Sequence, residues 1–283
     1  MSLFPLRDLT SRVRLSGGTE LPVLGLGVFQ SPPGAETQQA VAWALEAGYR
    51  LIDTAAMYEN EADVGAAVRE SGIPRSEIFV TTKLWHHDQG YESALRAGRQ
   101  SLERLGLDYI DLYLIHWPTA DPPSARLDSW RALEELRASG ICRAIGVSNY
   151  AIRHLEELAA HSKTPPAVNQ VEFHPFVYDP EFLAYCAQHG IQVEAYSPLT
   201  RNRRLDDATV ASIAKEHHRS PAQVLIRWGL QHGVVEIPKS VHRERIQENT
   251  HVFDFELRPE DMARLDGLRD RRRVTKWDPA EIP

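Results

Sequence analysis

The chain has 283 residues, of which 25% are charged and 42% apolar, and its formal net charge is −7. Such a chain can bury a sizeable core, and its negative charge argues against a nucleic-acid-binding protein. Its two cysteines cannot form a disulfide framework, and the sequence contains neither a signal-peptide segment nor an apolar run of membrane-spanning length. We therefore expect a soluble cytoplasmic protein, with no membrane association, built as a single domain over residues 1–283.

Short apolar segments alternate with longer amphipathic ones along the chain. Before the first of them, residues 13–25 predict a short β-hairpin that turns at Gly17-Gly18. Eight strands follow, and several are apolar with little alternation, as in a parallel sheet covered on both faces. These strands are predicted at residues 24–29, 50–53, 78–83, 110–116, 142–148, 168–173, 191–197 and 234–238.

Helical patterns separate and follow these strands, and glycines stand just after several of them, where a left-handed residue ends a helix. The helices are predicted at 35–47, 60–71, 91–105, 128–139, 151–160, 179–189, 206–232 (with a second helix starting at Ser220-Pro221), 242–250 and 259–269. This alternation predicts an α/β fold, a (β/α)8 TIM barrel with an N-terminal hairpin. A doubly wound sheet is the alternative, but Gln30 replaces the third glycine of G-x-G-x-x-G in GLGVFQ.

Four residues at or just beyond strand ends carry compatible chemistry: Asp53, Tyr58, Lys83 and His116. In a (β/α)8 barrel the C-terminal ends of the strands form the active site, so these side chains can converge there. A phenol with a pKa of about 10 is a weak acid at neutral pH, and an adjacent ammonium would lower that pKa. Asp53 would hold Lys83, and His116 would orient a carbonyl oxygen. Taken singly, a strand-end aspartate can instead cap a helix, and the histidine can be a core residue.

Three segments resemble the aldo-keto reductases, NAD(P)H-dependent carbonyl reductases built on a (β/α)8 barrel. They are GYRLIDTAAMYENEADVG (48–65), LYLIHWP (112–118) and IPKSVHRERIQEN (237–249). Within that family the chain looks most like the short prokaryotic branch that includes 2,5-diketo-D-gluconic acid reductases. The resemblance implies that Tyr58 is the general acid, that Lys83 and Asp53 tune it, and that His116 orients the carbonyl.

The resemblance also implies a cofactor site. Ser148, Asn149 and Gln170 match residues that bind the nicotinamide amide, and Tyr196 matches the aromatic residue that stacks on the nicotinamide ring. Ser197 and Leu199 match the loop over the pyrophosphate. The remaining cofactor residues are in the C-terminal signature: Lys239, Ser240, Val241 and Arg245 at the 2′-phosphate end, and Glu248 and Asn249 near the adenine. Two cations and a helix N-terminus favour NADPH over NADH.

The substrate wall is predicted from Phe29, Trp85 and Trp117, with Asn149 at its rim. Aromatic walls suit small aldehydes, diketones and keto-sugars with some apolar character. The loops at 118–130 and 197–207 and the tail at 271–283 are short, so the resemblance implies a reduced cofactor-covering belt. Trp277 in that tail could fold over the mouth of the barrel or could equally be a loose terminal aromatic.

Other functions remain open at this point. One is a non-catalytic NADP(H)-binding sensor or regulatory subunit on the same fold, and another is a Schiff-base lyase that uses Lys83. The pairs His86-His87 and His217-His218 have no partner at ligand spacing, so no metal is expected. We expect a monomer whose partner is a small-molecule carbonyl substrate.

Overall fold

The computed structural model describes residues 6–119, 122–162, 164–275 and 277–283. Parts of the predicted loop at 118–130 and of the tail at 271–283, namely 120–121 and 276, lie outside the described residues, as do 1–5 and 163. An antiparallel hairpin, β1 (Arg12–Arg14) and β2 (Glu20–Pro22), comes first. Gly18 takes a φ of 86° in its turn, which only glycine adopts without strain. The predicted hairpin is therefore confirmed.

All eight predicted barrel strands are present. They are β3 (Leu26–Gly27), β4 (Leu51–Asp53), β5 (Phe79–Leu84), β6 (Ile110–Ile115), β7 (Cys142–Ser148), β8 (Val168–Glu172), β9 (Gln192–Tyr196) and β10 (Val235–Glu236). They form one parallel sheet in chain order. Parallel bridges from Leu24 to Glu236 and from Gly27 to Lys239 join the first strand to the last. The (β/α)8 prediction is confirmed.

Helices connect and follow the strands close to the predicted positions. They are α1 (Ala35–Glu46), α2 (Glu61–Glu70), α3 (Tyr91–Leu105), α4 (Ala125–Ala138), α5 (Ile152–His161), α6 (Pro180–Gln188), α7 (Ala208–Glu216), α8 (Pro221–Gln231), α9 (Arg243–Glu248) and α10 (Pro259–Asp266). Ser220 caps α8, and its hydroxyl accepts a hydrogen bond from the amide of Gln223. The predicted break inside 206–232 is therefore confirmed. Within the described residues, no helix combines the length and the hydrophobicity that a bilayer crossing requires.

The core has two parts, one inside the barrel and one between the barrel and its helices. Leu15 and Leu21 of the hairpin region pack against Leu51, Phe79 and other inward-facing strand residues. Every residue of β5 and β6 is buried, which explains why these strands are apolar with little alternation. Because the hairpin region packs into this inner core, the open mouth of the barrel lies at the opposite end, where the strands finish.

Candidate active site

A buried ion pair lies at the centre of the barrel mouth. Lys83 on β5 donates from Nζ to Oδ1 of Asp53 at 2.7 Å and to the carbonyl of Thr54 at 2.9 Å. The same Nζ lies 3.3 Å from the hydroxyl of Tyr58. Asp53 ends β4, and neither side chain of the ion pair has appreciable solvent exposure. The structure thus brings three of the four strand-end residues into one hydrogen-bonded chain.

The loop that carries Tyr58 is held by a buried asparagine. Tyr58 ends a short 3₁₀ turn, Ala56–Tyr58. Two residues later, Asn60 donates to the carbonyls of Val28 and Ser31 at 3.1 and 3.2 Å. Its Oδ1 accepts from the hydroxyl of Thr54 at 2.7 Å. The phenol is therefore presented by a loop that is fixed at both ends.

The opposite charges of Lys83 and Asp53 offset the desolvation cost that burial imposes on each of them. Burial alone would lower the pKa of Lys83, but Asp53 and Tyr58 outweigh it and raise that pKa. Burial raises the pKa of Asp53, while Lys83 and a hydrogen bond from Gln170 act in the opposite direction. The geometry favours the ionised pair, because a 2.7 Å contact from Nζ to a carboxylate satisfies both partners. The cation beside the phenol is thus permanent at neutral pH.

The pKa of Tyr58 requires a correction to the sequence-based prediction. Lys83 does act to lower it, as expected, but burial is the larger effect and the pKa is raised overall. Asp53 adds to this rise and Arg201 opposes it. Tyr58 is therefore a protonated phenol at neutral pH, which is the form needed to give a proton.

His116 follows β6 and faces the same mouth. Its ring lies edge-on to Tyr58 at 5.6 Å and to Trp85 at 5.2 Å between ring centroids. Burial, followed by Lys83 and His86, lowers the pKa of His116 well below its usual value. Its Nδ1 is buried without a hydrogen-bond partner among the described residues. A neutral imidazole at this position can donate one hydrogen bond without adding charge.

These residues line a cavity of about 330 Å³. The cavity extends from Tyr58 and His116 to the loop that follows β10, where Lys239 lies. Its lining includes Phe29, Asp53, Tyr58, Trp85, His116, Trp117, Asn149, Gln170, Tyr196, Ser197, Leu199 and Lys239, all predicted from the sequence. A single cavity thus joins the predicted proton donor to one of the predicted phosphate-binding cations.

The predicted nicotinamide residues form a connected hydrogen-bond network. Asn149 donates from Nδ2 to the carbonyl of His116 and to Oγ of Ser148, each at 3.0 Å. Its Oδ1 accepts from the hydroxyl of Tyr196 at 2.8 Å, and Ser148 donates to the backbone carbonyl of Gln170 at 2.8 Å. Asn149 has a φ of 63°, a left-handed conformation that asparagine tolerates better than most residues.

The predicted adenosine end lies on the segment after β10. Ser240 is buried, and its Oγ accepts from the amide of His242 at 3.1 Å. Helix α9 begins at Arg243, three residues after Ser240, and it carries Arg245 and Glu248. Asn249 follows this helix and is buried, whereas Lys239 and Arg245 are exposed. Val241, which is partly buried, lies along the chain between Ser240 and the start of α9.

Aromatic rings form one side of the mouth. Phe29 packs against Tyr58 with ring centroids 5.0 Å apart, and Trp117 is 8% exposed. Trp277, from the tail, lies edge-on to Trp117 at 5.2 Å and remains 48% exposed. The tail therefore reaches the rim of the cavity, which is one of the two placements left open for Trp277 by the sequence.

The fold also brings to the site several residues that were not predicted from the sequence. Arg201 lines the cavity with its guanidinium 5.2 Å from the centre of the Phe29 ring. Glu172 holds the tail, and Glu194 contacts Gln170 from within the barrel. A charged residue inside an apolar strand was the available signal for Glu172 and Glu194. Among the described residues, no group of three or more metal-ligating side chains is assembled.

A barrel with a protonated phenol beside a buried Lys–Asp pair at its mouth is the construction of an oxidoreductase that acts on carbonyl groups. The aldo/keto reductase family profile matches residues 23–270. The chain belongs to the aldo/keto reductase family. Members of this family use nicotinamide cofactors.

Relatives agree with this assignment along nearly the whole chain. A glyoxal reductase of Bacillus subtilis (strain 168) is 52% identical over 267 residues, covering 94% of this chain and 96% of the relative. The crystal structure of an aldo-keto reductase from a deep-sea metagenome library matches with a TM-score of 0.90 and 45% identity, covering 94% and 98% of the two chains. A Bombyx mori aldo-keto reductase in complex with NADP matches with a TM-score of 0.88 and 36% identity, covering 96% and 97%.

Proposed function

We propose that this protein is an NADPH-dependent reductase of small aldehydes, diketones and keto-sugars, with Tyr58 as the general acid. The observation that carries the proposal is the buried chain from Asp53 through Lys83 to the Tyr58 hydroxyl, at a cavity that extends to Lys239. The likeness to a glyoxal reductase and to a structure in complex with NADP supports it.

The residues of this chain supply positioning and a proton. The aromatic wall of Phe29, Trp85 and Trp117 excludes water from one side of a bound carbonyl compound. The neutral His116 donates a hydrogen bond to the carbonyl oxygen, and Tyr58 gives that oxygen its proton. Lys83 then stabilises the phenolate that remains, since its ammonium lies 3.3 Å from the oxygen.

The residues present fit NADPH. When bound, this cofactor supplies a hydride to the carbonyl carbon. The polar network of Ser148, Asn149 and Gln170 offers hydrogen bonds to a carboxamide, and Tyr196 offers a ring face. Lys239, which also lines the cavity, and Arg245 on α9 offer cations to a phosphate. Arg201 also lines the cavity and presents another cation to the dinucleotide.

The test is NADPH oxidation with simple reactive aldehydes. Protein that binds NADPH is mixed with methylglyoxal or 4-nitrobenzaldehyde, and the loss of NADPH absorbance is followed. Turnover with at least one aldehyde is expected. No turnover by protein shown to bind NADPH would overturn the catalytic proposal and favour a non-catalytic NADP(H)-binding subunit.

A further inference from the structure

A buried carboxyl group lies directly beneath the predicted nicotinamide site. Glu194, on β9, has no exposed surface. Its Oε1 accepts a hydrogen bond from Nε2 of Gln170 at 2.6 Å. The same Nε2 donates to Oδ2 of Asp53 at 2.7 Å. A primary amide nitrogen carries two hydrogens, so both are used by oxygens in the barrel interior.

This arrangement determines which atom of Gln170 is left for a ligand. Since both N–H groups are taken by Asp53 and Glu194, only Oε1 remains, and it can only accept. None of the described residues donates a hydrogen bond to that oxygen, and Gln170 lines the cavity. Both N–H groups of the neighbouring Asn149 are likewise taken, by the carbonyl of His116 and Oγ of Ser148. Its Oδ1 accepts from Tyr196 and keeps a second lone pair, so this amide too can only accept from a ligand.

The charge state of Glu194 is consistent with this role. Burial, followed by repulsion from Asp53, raises the pKa of Glu194 to about 8. Lys83 and the hydrogen bond from Gln170 act in the opposite direction, and Glu236 is a further buried carboxyl nearby. Oε2 of Glu194 has no partner among the described residues and is available to carry the proton. A neutral acid can still accept through Oε1 while leaving Asp53 as the counter-ion of Lys83.

We propose that Glu194 is a positioning residue that, together with Asp53, holds the amide of Gln170 with its oxygen towards the cofactor. The site is thereby selective for a ring substituent that donates an N–H, as a carboxamide does. This inference rests on the proposed function, because it requires a nicotinamide cofactor in the cavity. It predicts discrimination between cofactors that differ only in that substituent.

The test compares the binding of NADP⁺ with that of its 3-acetylpyridine analogue, in which a methyl group replaces the amino group of the carboxamide. Leaving the buried Gln170 oxygen without a donor costs about 1–3 kcal/mol, so wild type should bind the analogue roughly 5- to 150-fold more weakly. In Glu194→Met, one N–H of Gln170 is released and the amide can rotate to donate to the acetyl oxygen. The ratio of the two dissociation constants should then fall to within about 3-fold.

Glu194→Gln is the matched control, because its side-chain oxygen can still accept from Gln170, and it should keep the wild-type ratio. Glu194→Leu serves as a second variant if the methionine variant does not fold, and thermal unfolding checks each protein. An unchanged ratio in the folded methionine or leucine variant, or equal binding of both cofactors by wild type, overturns the inference. If wild type bound neither cofactor, the proposed function itself would fail, and the two failures are therefore distinguishable.

Discussion

Glu172 fastens the tail of the chain to the barrel, and its replacement by glutamine gives a prediction for stability. The residue ends β8 and is 3% exposed. Its Oε1 accepts from the amide of Val274 at 2.6 Å and from Nε2 of His174 at 3.0 Å. Its Oε2 accepts from the amide of Thr275 at 3.1 Å and from the hydroxyl of that residue. A glutamine here has one acceptor oxygen, and its amino group would face donors.

The size of the effect follows from the pKa of Glu172. Burial acts to raise this pKa, but the hydrogen bonds from His174, Thr275 and Val274 lower it from 4.5 to about 2. Such a shift corresponds to a contribution on the order of 3 kcal/mol to the free energy of unfolding. Since the folded-state pKa is depressed, this contribution is complete above about pH 5 and is lost as the pH falls towards about 2.

Urea unfolding of wild type and Glu172→Gln, followed by tryptophan fluorescence between pH 7 and pH 3, measures this contribution. We expect the variant to be less stable by about 3 kcal/mol at pH 7, with a difference that narrows as the pH falls. Glu181→Gln, an exposed carboxyl on α6, is the control and should change stability by less than about 0.5 kcal/mol. Equal stability of Glu172→Gln and wild type at pH 7, or a difference independent of pH, would show that the ionised Glu172 carboxylate does not stabilise the fold.

Three further predictions concern the site. Tyr58→Phe should lower kcat for aldehyde reduction by about 10²- to 10⁴-fold while NADPH affinity is kept, because only the proton donor is lost. Tyr150→Phe, which removes another buried hydroxyl, is its control, and near-wild-type kcat in Tyr58→Phe would contradict the assignment. Lys83→Met should destabilise the fold by about 3–5 kcal/mol by leaving Asp53 buried without its cation. Adding Asp53→Asn should recover most of that stability in urea unfolding without recovering activity; a double variant as unstable as the single one would argue against the ion pair as the cause. Lys239→Met should raise the KM for NADPH by roughly 10-fold and leave the KM for NADH unchanged, since only NADPH has the 2′-phosphate. An equal change for both cofactors would show that Lys239 does not bind the 2′-phosphate.

Much of the fold and part of the site are local properties of the sequence. Apolar runs such as 110–116 and the glycines and prolines at helix boundaries predicted the strand order and the barrel. Because every strand of a parallel barrel ends at the same rim, placing Asp53, Lys83 and His116 at strand ends was enough to predict that they meet. The assignment of cofactor residues, by contrast, depended on motif resemblance, because Lys239 and Arg245 differ from surface cations only in context.

The tertiary structure decided the features that depend on burial and on distant contacts. The pKa of Tyr58 rises because desolvation outweighs Lys83, and no sequence pattern gives the depth of a side chain in a cavity. Glu172 meets residues 102 and 103 positions further along the chain, and Gln170 meets Asp53 across 117 positions. The sequence thus determined which chemical groups reach the barrel mouth, through hydrophobic periodicity and chain order. Only the folded barrel determined which of them are charged and which way their hydrogen bonds run, because those properties follow from packing between segments far apart in the chain.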